Sequence, residues 1–347
     1  MPSTTKIKDE SLAVVTLNVG DGDAVVVRFP PAHGPKTGAV VDCYKGDKTI
    51  AAIQALGIKK LNFVCATHPH YDHTAGMSKL IKWCLQNGVE ICEFWDSGFR
   101  HVSKTHYNLI RLLEENPSIK VFSPTSGFET IINKVRVLVL SPSMYLKNRY
   151  DTFGTNINNA SVVLKLDYPV RDIAKFFLKE EEVSDAEMEE VESIKQNTVI
   201  LGGDAQFDAW AQITQEFPEL VHTDNRGQMI DPKKKSFKPL RCQVFKVPHH
   251  MSKHGATLQV VETLLPRYTI ASCAADSEYG FPHDLAVMAV EELRKTATDK
   301  GIRYTGHPDS DLAGGTIVAV LNGGSTKPRI VSLGEGVGDD APIDTIM

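Results

Sequence analysis

Thr67-His68-Pro69-His70-Tyr71-Asp72-His73 sets three histidines and a carboxylate within six residues. It directly follows the apolar run Asn62-Phe63-Val64-Cys65-Ala66, which reads as a buried strand. A loop leaving a strand end can turn alternate side chains into one cleft. His68 and His70 are therefore expected to grip one cation, and Asp72 and His73 a second one beside it. Imidazole suits zinc, iron or manganese, and an added carboxylate widens the choice. Two ions about 3.5–4 Å apart can stabilise a hydrolytic transition state. The competing reading is a histidine-rich surface loop without metal. Four ligand-type side chains at this spacing, straight after a buried strand, argue against it.

The chain around this stretch has 347 residues, enough to bury a full core as one large domain or two small ones. Its 42% hydrophobic and 23% charged residues are ordinary for a soluble globular protein. A net charge of −5 excludes a globally basic nucleic-acid-binding surface. Met1 to Glu10 is polar without an apolar targeting core, and no run approaches the roughly 18 apolar residues needed to span a bilayer. Six scattered cysteines (43, 65, 84, 92, 242 and 273) form no C-x-x-C pair, which suits reduced, buried thiols. A soluble cytoplasmic protein, not held at a membrane, is expected.

After a polar tail (1–11), strands are expected at 12–19, 24–29 and 39–42, the first two joined by the turn Gly20-Asp21-Gly22-Asp23. Helices at 49–56, 76–86 and 104–115 alternate with strands at 62–66, 89–94 and 120–122. A hairpin turning at Asn133-Lys134 joins 128–132 to 135–140. Residues 145–158 read as a polar loop, and 161–166 as a strand. An acidic run, including Glu180 to Glu182 and Asp185 to Glu192, marks a solvated helical insert over 171–196 or a partner surface. A lysine-bearing loop occupies 222–240. Strands at 197–201, 242–247, 269–272, 302–305 and 315–321, with helices at 207–214, from Thr257 and at 285–294, complete a domain over 12–333. An acidic tail (334–347) follows. Alternating strands and helices imply a layered α/β fold.

Further chemistry is spread along this frame. Asp204, delivered by a strand through Gly202-Gly203, fits a carboxylate shared by both cations, the glycines allowing close backbone approach. His249 and His250 end another strand. Neighbours in an extended segment point to opposite sides, so one is a ligand and the other contacts substrate or a ligand, with no basis for choosing between them. Ser252 and Lys253, with His254, can donate to an anionic substrate. Asp42, at a strand end, suits the free N–H of a ligating histidine, and Asp23 is a further candidate there. His283 is a candidate catalytic residue entering from a loop, unless its neighbour Asp284 simply caps the following helix.

The His-x-His-x-Asp-His stretch, with Thr67 before it and Gly76 after it, resembles the signature of the metallo-β-lactamase superfamily. Many of its members supply a histidine between that motif and the shared Asp, yet none occurs here between His106 and His222. Asn158, Asn159 or Asp151 is expected to approach instead, or water; His101 and His106 are alternatives. Such an oxygen-richer site favours manganese or magnesium over zinc. Several fragments together look like the ComEC-type competence nuclease domain and its free-standing relatives. They are Asn18 to Ala24, Val41-Asp42, Thr67 to Gly76, Asn159 to Leu164, Gly203-Asp204-Ala205, Lys246 to His250 and Tyr279 to His283. That branch also replaces the middle histidine with an Asn-containing segment. Asp21, Met251-Ser252 and Phe281 depart from its usual residues.

The resemblance implies a four-layer αβ/βα sandwich with two divalent metal ions at one edge, and phosphodiester hydrolysis with DNA as the expected substrate. In that scheme Asp204 bridges the ions, Asp72 orients the attacking water, and His250 or His283 assists. Alternatives are hydrolysis of a small ester, thioester or phosphorylated ligand on the same scaffold, or a non-catalytic metal-bound interaction module. The two inserts are expected to gate the site or dock a regulatory protein or a second copy.

Overall fold

The strand β1 (Leu12–Thr16) is buried along its whole length, with Ala13 and Val15 facing one way and Leu12 and Val14 the other. A strand apolar on both faces must lie between two packed layers. The computed structural model describes residues 7–153, 156–172, 184–219, 238–295 and 301–334. In it β1 lies inside one of two sheets. With it run β2 (Ala24–Arg28), β3 (Thr37–Cys43), β4 (Lys60–Ala66), β5 (Glu90–Asp96) and β6 (Lys120–Phe122). The second sheet contains β7 (Glu129–Ile132), β8 (Val135–Ser141), β9 (Val163–Tyr168), β10 (Asn197–Leu201), β11 (Val244–Lys246), β12 (Tyr268–Ala271) and β13 (Ile302–Tyr304). The chain then returns to the first sheet as β14 (Ile317–Leu321) and β15 (Arg329–Ser332).

The strand orders are β15-β14-β1-β2-β3-β4-β5-β6 and β13-β12-β11-β10-β9-β8-β7. In each sheet one half is antiparallel and the other parallel: β3 to β6 in the first, β10 to β13 in the second. Helices α1 (Gly46–Ala55), α3 (Met77–Gln86) and α4 (Lys104–Glu114) cover the outer face of the first sheet with Ile53, Leu80 and Leu112. Helices α7 (Phe207–Glu216), α8 (Leu258–Leu264) and α9 (Asp284–Leu293) cover the second with Trp210, Val261 and Val290. A third apolar layer, including Val14, Phe63, Val137 and Leu164, joins the sheets to each other. Three apolar interlayers make four layers, as expected. Each fully buried Val, Leu or Phe in them contributes roughly 1.5–3 kcal/mol.

Three readings need correction. Residues 144–153 are a helix, α5 (Met144–Phe153), not a polar loop: the Ser143 hydroxyl accepts from Leu146 N–H at 3.1 Å and Leu146 is buried. Strand β15 carries no strong apolar pattern, being only half-buried, and has no counterpart in the sequence reading. The pair His249-His250 is not extended, as described below. Within the acidic run, α6 (Asp185–Ser193) is helical and opens on a capping box between Ser184 and Glu187. The rest of that insert (173–183), most of the lysine loop (220–237) and the acidic tail beyond 334 lie outside the described residues. All six cysteines are free, and among the described residues no helix is long and apolar enough to cross a membrane.

Candidate metal centre

Both parallel half-sheets deliver their carboxyl ends to one place, where ligands of open α/β sheets bind. From the first sheet come Asp42 in β3, the loop Thr67–His70 after β4, and the single turn α2 (Tyr71–Thr74) carrying Asp72 and His73. From the second come Asp204 after β10 and His249-His250 after β11. Gly203 makes the approach possible. Its φ of +52° suits glycine, and a Cβ there would stand 3.1 Å from both Thr67 and Ser161. His249, His250 and Met251 follow with φ of 52°, 52° and 67°, a left-handed run that costs roughly 1–2 kcal/mol per residue. This turn carries the His249 N–H onto Asp204 Oδ1 (3.1 Å) and the His250 ring down beside Asp72.

Three groups of ligand-type atoms result among the described residues; in one, Asp42 is paired with His73 Nδ1–H and Asp23 with Lys246, which leaves two sets open to an ion. Asp72, His73, Asp204 and His250 form one, and His68, His70 and Asp204 the other. In the first, His73 Nε2 stands 3.5 Å from Asp72 Oδ2 and 3.2 Å from Asp204 Oδ1, while His250 Nε2 is 3.3 Å from Asp72 Oδ2. Ligand atoms about 2.0–2.2 Å from one ion at tetrahedral angles stand roughly 3.3–3.6 Å apart. The other Asp204 oxygen, Oδ2, lies 3.6 Å from His68 Nε2. The Nε2 atoms of His68 and His73 are fully buried with no hydrogen-bond partner among the described residues. A buried unpaired imidazole nitrogen is costly, and a divalent cation is the group that would satisfy both.

The partners behind the rings fix which nitrogen is free. His73 Nδ1–H donates to Asp42 Oδ2 at 2.7 Å, and His250 Nδ1–H to the Ser272 carbonyl at 2.9 Å. The Thr67 hydroxyl donates to Asp42 Oδ2 at 2.8 Å, so its oxygen can only accept from His68 Nδ1–H at 3.2 Å. In their neutral form all three rings therefore turn a lone pair on Nε2 into the centre. Asp23 is fully buried against Lys246, within 3.7 Å of His250 Nδ1 and 4.0 Å of His73 Nδ1.

Electrostatics follow from this crowding. Burial alone would raise the Asp204 carboxyl, but His73, then His68 and His250, outweigh it and hold it well below its usual range. Burial likewise opposes ionised Asp72, which the neighbouring His250 and His73 rings keep low. Burial would lower His73, yet Asp204 and Asp42 raise it well above 6.5. His68 is pushed well down by burial and by His73. Burial pushes Asp42 up, against the pull of His73.

The remaining expected residues take other places. His249 belongs to neither ligand set; it is partly buried, with Nε2 4.0 Å from Asp204 Oδ2 and Nδ1 2.9 Å from the Gln206 amide nitrogen. His283 does not enter the centre: its Nδ1 accepts from Leu285 N–H at 3.2 Å, capping α9 because it is the last extended residue before that helix. Asn159 is consumed at α7, its Oδ1 accepting from Gln206 N–H and Ala209 N–H. Asn158 is buried with its Oδ1 unpartnered among the described residues. Ser252 is buried and Lys253 exposed beside the left-handed turn. His101 touches the His70 ring at 5.5 Å and His106 is buried in α4, neither within a ligand set. The Asp151 side chain lies outside the described residues. The sequence reading missed Ser161, which binds Asp204 N–H and His68, and Ser272 and Gln206. Lys246 alone carried a signal, as a charge inside an apolar strand.

A family profile described as the metallo-beta-lactamase superfamily matches residues 17–85, from just after β1 through the histidine loop into α3. The match and the four layers agree. The chain has the metallo-β-lactamase fold. A comparison with curated proteins gave no match. Solved structures similar to it include the metallo-β-lactamase fold protein YhfI from Bacillus subtilis, at 10% identity over 86% of this chain and 97% of that one, with a TM-score of 0.43. A diphosphatase from the PhnP family shares 11% over 85% and 95%, at 0.38. A long form of RNase Z from yeast shares 12% over 81% and 40%, at 0.38. Proteins of the metallo-β-lactamase fold are mostly hydrolases that bind divalent metals, and the histidine–aspartate cluster sits where both sheets meet.

Proposed function

We propose that the chain is a divalent-metal-dependent phosphodiesterase that acts on DNA in the cytoplasm. The observation that carries this reading is Asp204, whose two oxygens address two separate sets of buried imidazole nitrogens. Two divalent ions (zinc or manganese, or magnesium) would polarise a phosphoryl oxygen and provide a nucleophile at neutral pH. The chain's own residues do the rest. Asp204 spans the two positions, and Asp42 and Ser272 hold His73 and His250 in the ligating tautomer. Asp72 keeps about a third of its side chain open, at 35%, and stays ionised to orient the attacking water. The Gln206 amide donates to His249 Nδ1, which leaves the ring proton on Nε2 for a phosphoryl or leaving oxygen.

DNA as the substrate rests on the resemblance to the ComEC-type nuclease domain. Several of the fragments that carry it lie at this centre, with the histidine loop, Asp204 and His250 in the cluster and Lys246 neutralising Asp23. Control is assigned to the segments near 171–196 and 222–240, through a regulatory partner or a second copy; a 176–195 deletion with unchanged activity and assembly would remove that assignment. A second reading, hydrolysis of a small ester or phosphorylated ligand, is favoured by Phe281. Its ring stands 5.6 Å from both His249 and His250 and gives the centre an apolar wall. A substrate panel with Mn²⁺, Zn²⁺ or Mg²⁺ separates them. DNA cleavage by the wild type and none by Asp204→Ala is expected; turnover of thioesters or lactones alone would transfer the assignment.

A further inference from the structure

We infer that Tyr279, with Phe281 behind it, is a stacking platform for an unpaired nucleobase, so that the centre takes single-stranded DNA ahead of duplex. This rests on the DNA-cleaving reading and adds strandedness to it.

Three observations point the same way. The first is a run of rings that leads outward from the ligands. Phe281 stands 5.6 Å from the His250 ring, and the Tyr279 ring is stacked on Phe281 at 5.8 Å with 27° between their planes. Tyr279 is 73% exposed, so most of that second ring is uncovered. Phe281 alone would wall a small substrate. A further ring stacked outside it and left open fits a planar group of similar size, which a nucleobase is. The second is preorganisation. The Ser277 hydroxyl accepts from Tyr279 N–H at 3.3 Å and from Phe281 N–H at 3.2 Å, and His283 N–H donates to the Met251 carbonyl at 3.0 Å. The loop is thereby pinned to the turn that carries His249 and His250, and little ordering is lost when a base lands on it. The third is charge. The exposed charges on this loop, Asp276, Glu278 and Asp284, are all acidic. On the first-sheet side, His101 lies 5.5 Å from the His70 ring, with Arg100 and Lys104 exposed beside it. Arg100 spends one nitrogen on Asp96, at 3.1 Å, and is otherwise open. A single strand can turn its phosphates to these cations and its bases to the rings. A duplex covers its base faces by stacking and carries phosphates on both strands, so that one row would meet the acidic loop.

The test uses chelator-stripped, full-length protein, which leaves the strand uncut, and a short oligodeoxynucleotide ending in 2-aminopurine, alone or annealed to its complement. Stacking on an aromatic ring quenches 2-aminopurine fluorescence. The single strand is expected to bind at least about tenfold more tightly than the duplex and to lose fluorescence. Tyr279→Ala should weaken single-strand binding about tenfold and abolish the quench, with duplex affinity and metal retention unchanged. Tyr279→Phe should keep both, since the ring and not the hydroxyl stacks. Equal affinity for the two forms, or a quench that survives Tyr279→Ala, would overturn the platform and leave the DNA reading standing. Absence of single-strand binding would overturn it too. Cleavage by the metal-restored protein then decides separately whether the DNA reading falls with it.

Discussion

Lys246 ends the apolar strand β11 with its side chain 2% exposed, and its ammonium meets Asp23, itself 3% exposed. A buried ion pair that loses one partner leaves an uncompensated charge, which costs roughly 3–5 kcal/mol. Lys246→Met should therefore destabilise the fold by about that amount in chemical denaturation. Asp23→Asn/Lys246→Met should recover much of it, since the second change removes the stranded carboxylate. A loss no larger than that of a surface substitution would mean the pair does not bind the sheets together. The ligand-type residues were legible because their spacing after a buried strand is local information. The role of Lys246 was not, because its partner stands 223 residues away in sequence.

The helix α7 begins where Asn159 accepts from Gln206 N–H and Ala209 N–H, so a residue from another element caps it. Asn159→Ala leaves those donors buried and should cost roughly 1–3 kcal/mol in thermal or chemical unfolding. Because Gln206 also contacts His249, the same change should alter catalytic turnover more than metal retention. Equal loss of both would place Asn159 closer to the ions than this account does. Elements with strong local signals matched their expected positions: the hairpin turns at Asn133 and Lys134, with φ of 49° and 66°, in the left-handed conformation such turns require. Residues 144–153 misled because polar composition hides a capped helix. The His249–Met251 turn was illegible because three consecutive non-glycine residues adopt a conformation set by their surroundings, not by local preference.

Across the whole molecule, the centre couples two sheets, so its protonation should register in global stability. In the metal-free chain His73 is raised above 6.5, so its protonated form stabilises the fold below that pH and the contribution is lost as pH rises through the raised value. Asp204 and Asp72 are lowered below 3.8, so their contribution is present above that pH and lost as pH falls through the lowered values. The metal-free melting temperature should accordingly fall as pH rises above 6.5. Metal-loaded protein should show the opposite slope there, because cation and proton compete for His73 Nε2. Parallel slopes would contradict the assignment of His73 as a ligand. A layered α/β fold was legible from alternating strands and helices, and its four layers only from the family that the histidine motif resembles. The join between the sheets was not, because it depends on contacts such as Gly203 with Thr67 and Ser161 that no local pattern encodes.

The central claim is metal-dependent phosphodiester hydrolysis at the cluster shared through Asp204. Its most direct test is cleavage of end-labelled single- and double-stranded DNA by chelator-stripped protein, before and after Mn²⁺, Zn²⁺ or Mg²⁺ is restored. The Asp72→Ala/His73→Ala double variant serves as the control. Cleavage only by the wild type, and only with metal restored, is the predicted result. Cleavage that survives chelation or the double variant, or none by folded, metal-loaded wild type, would contradict the account.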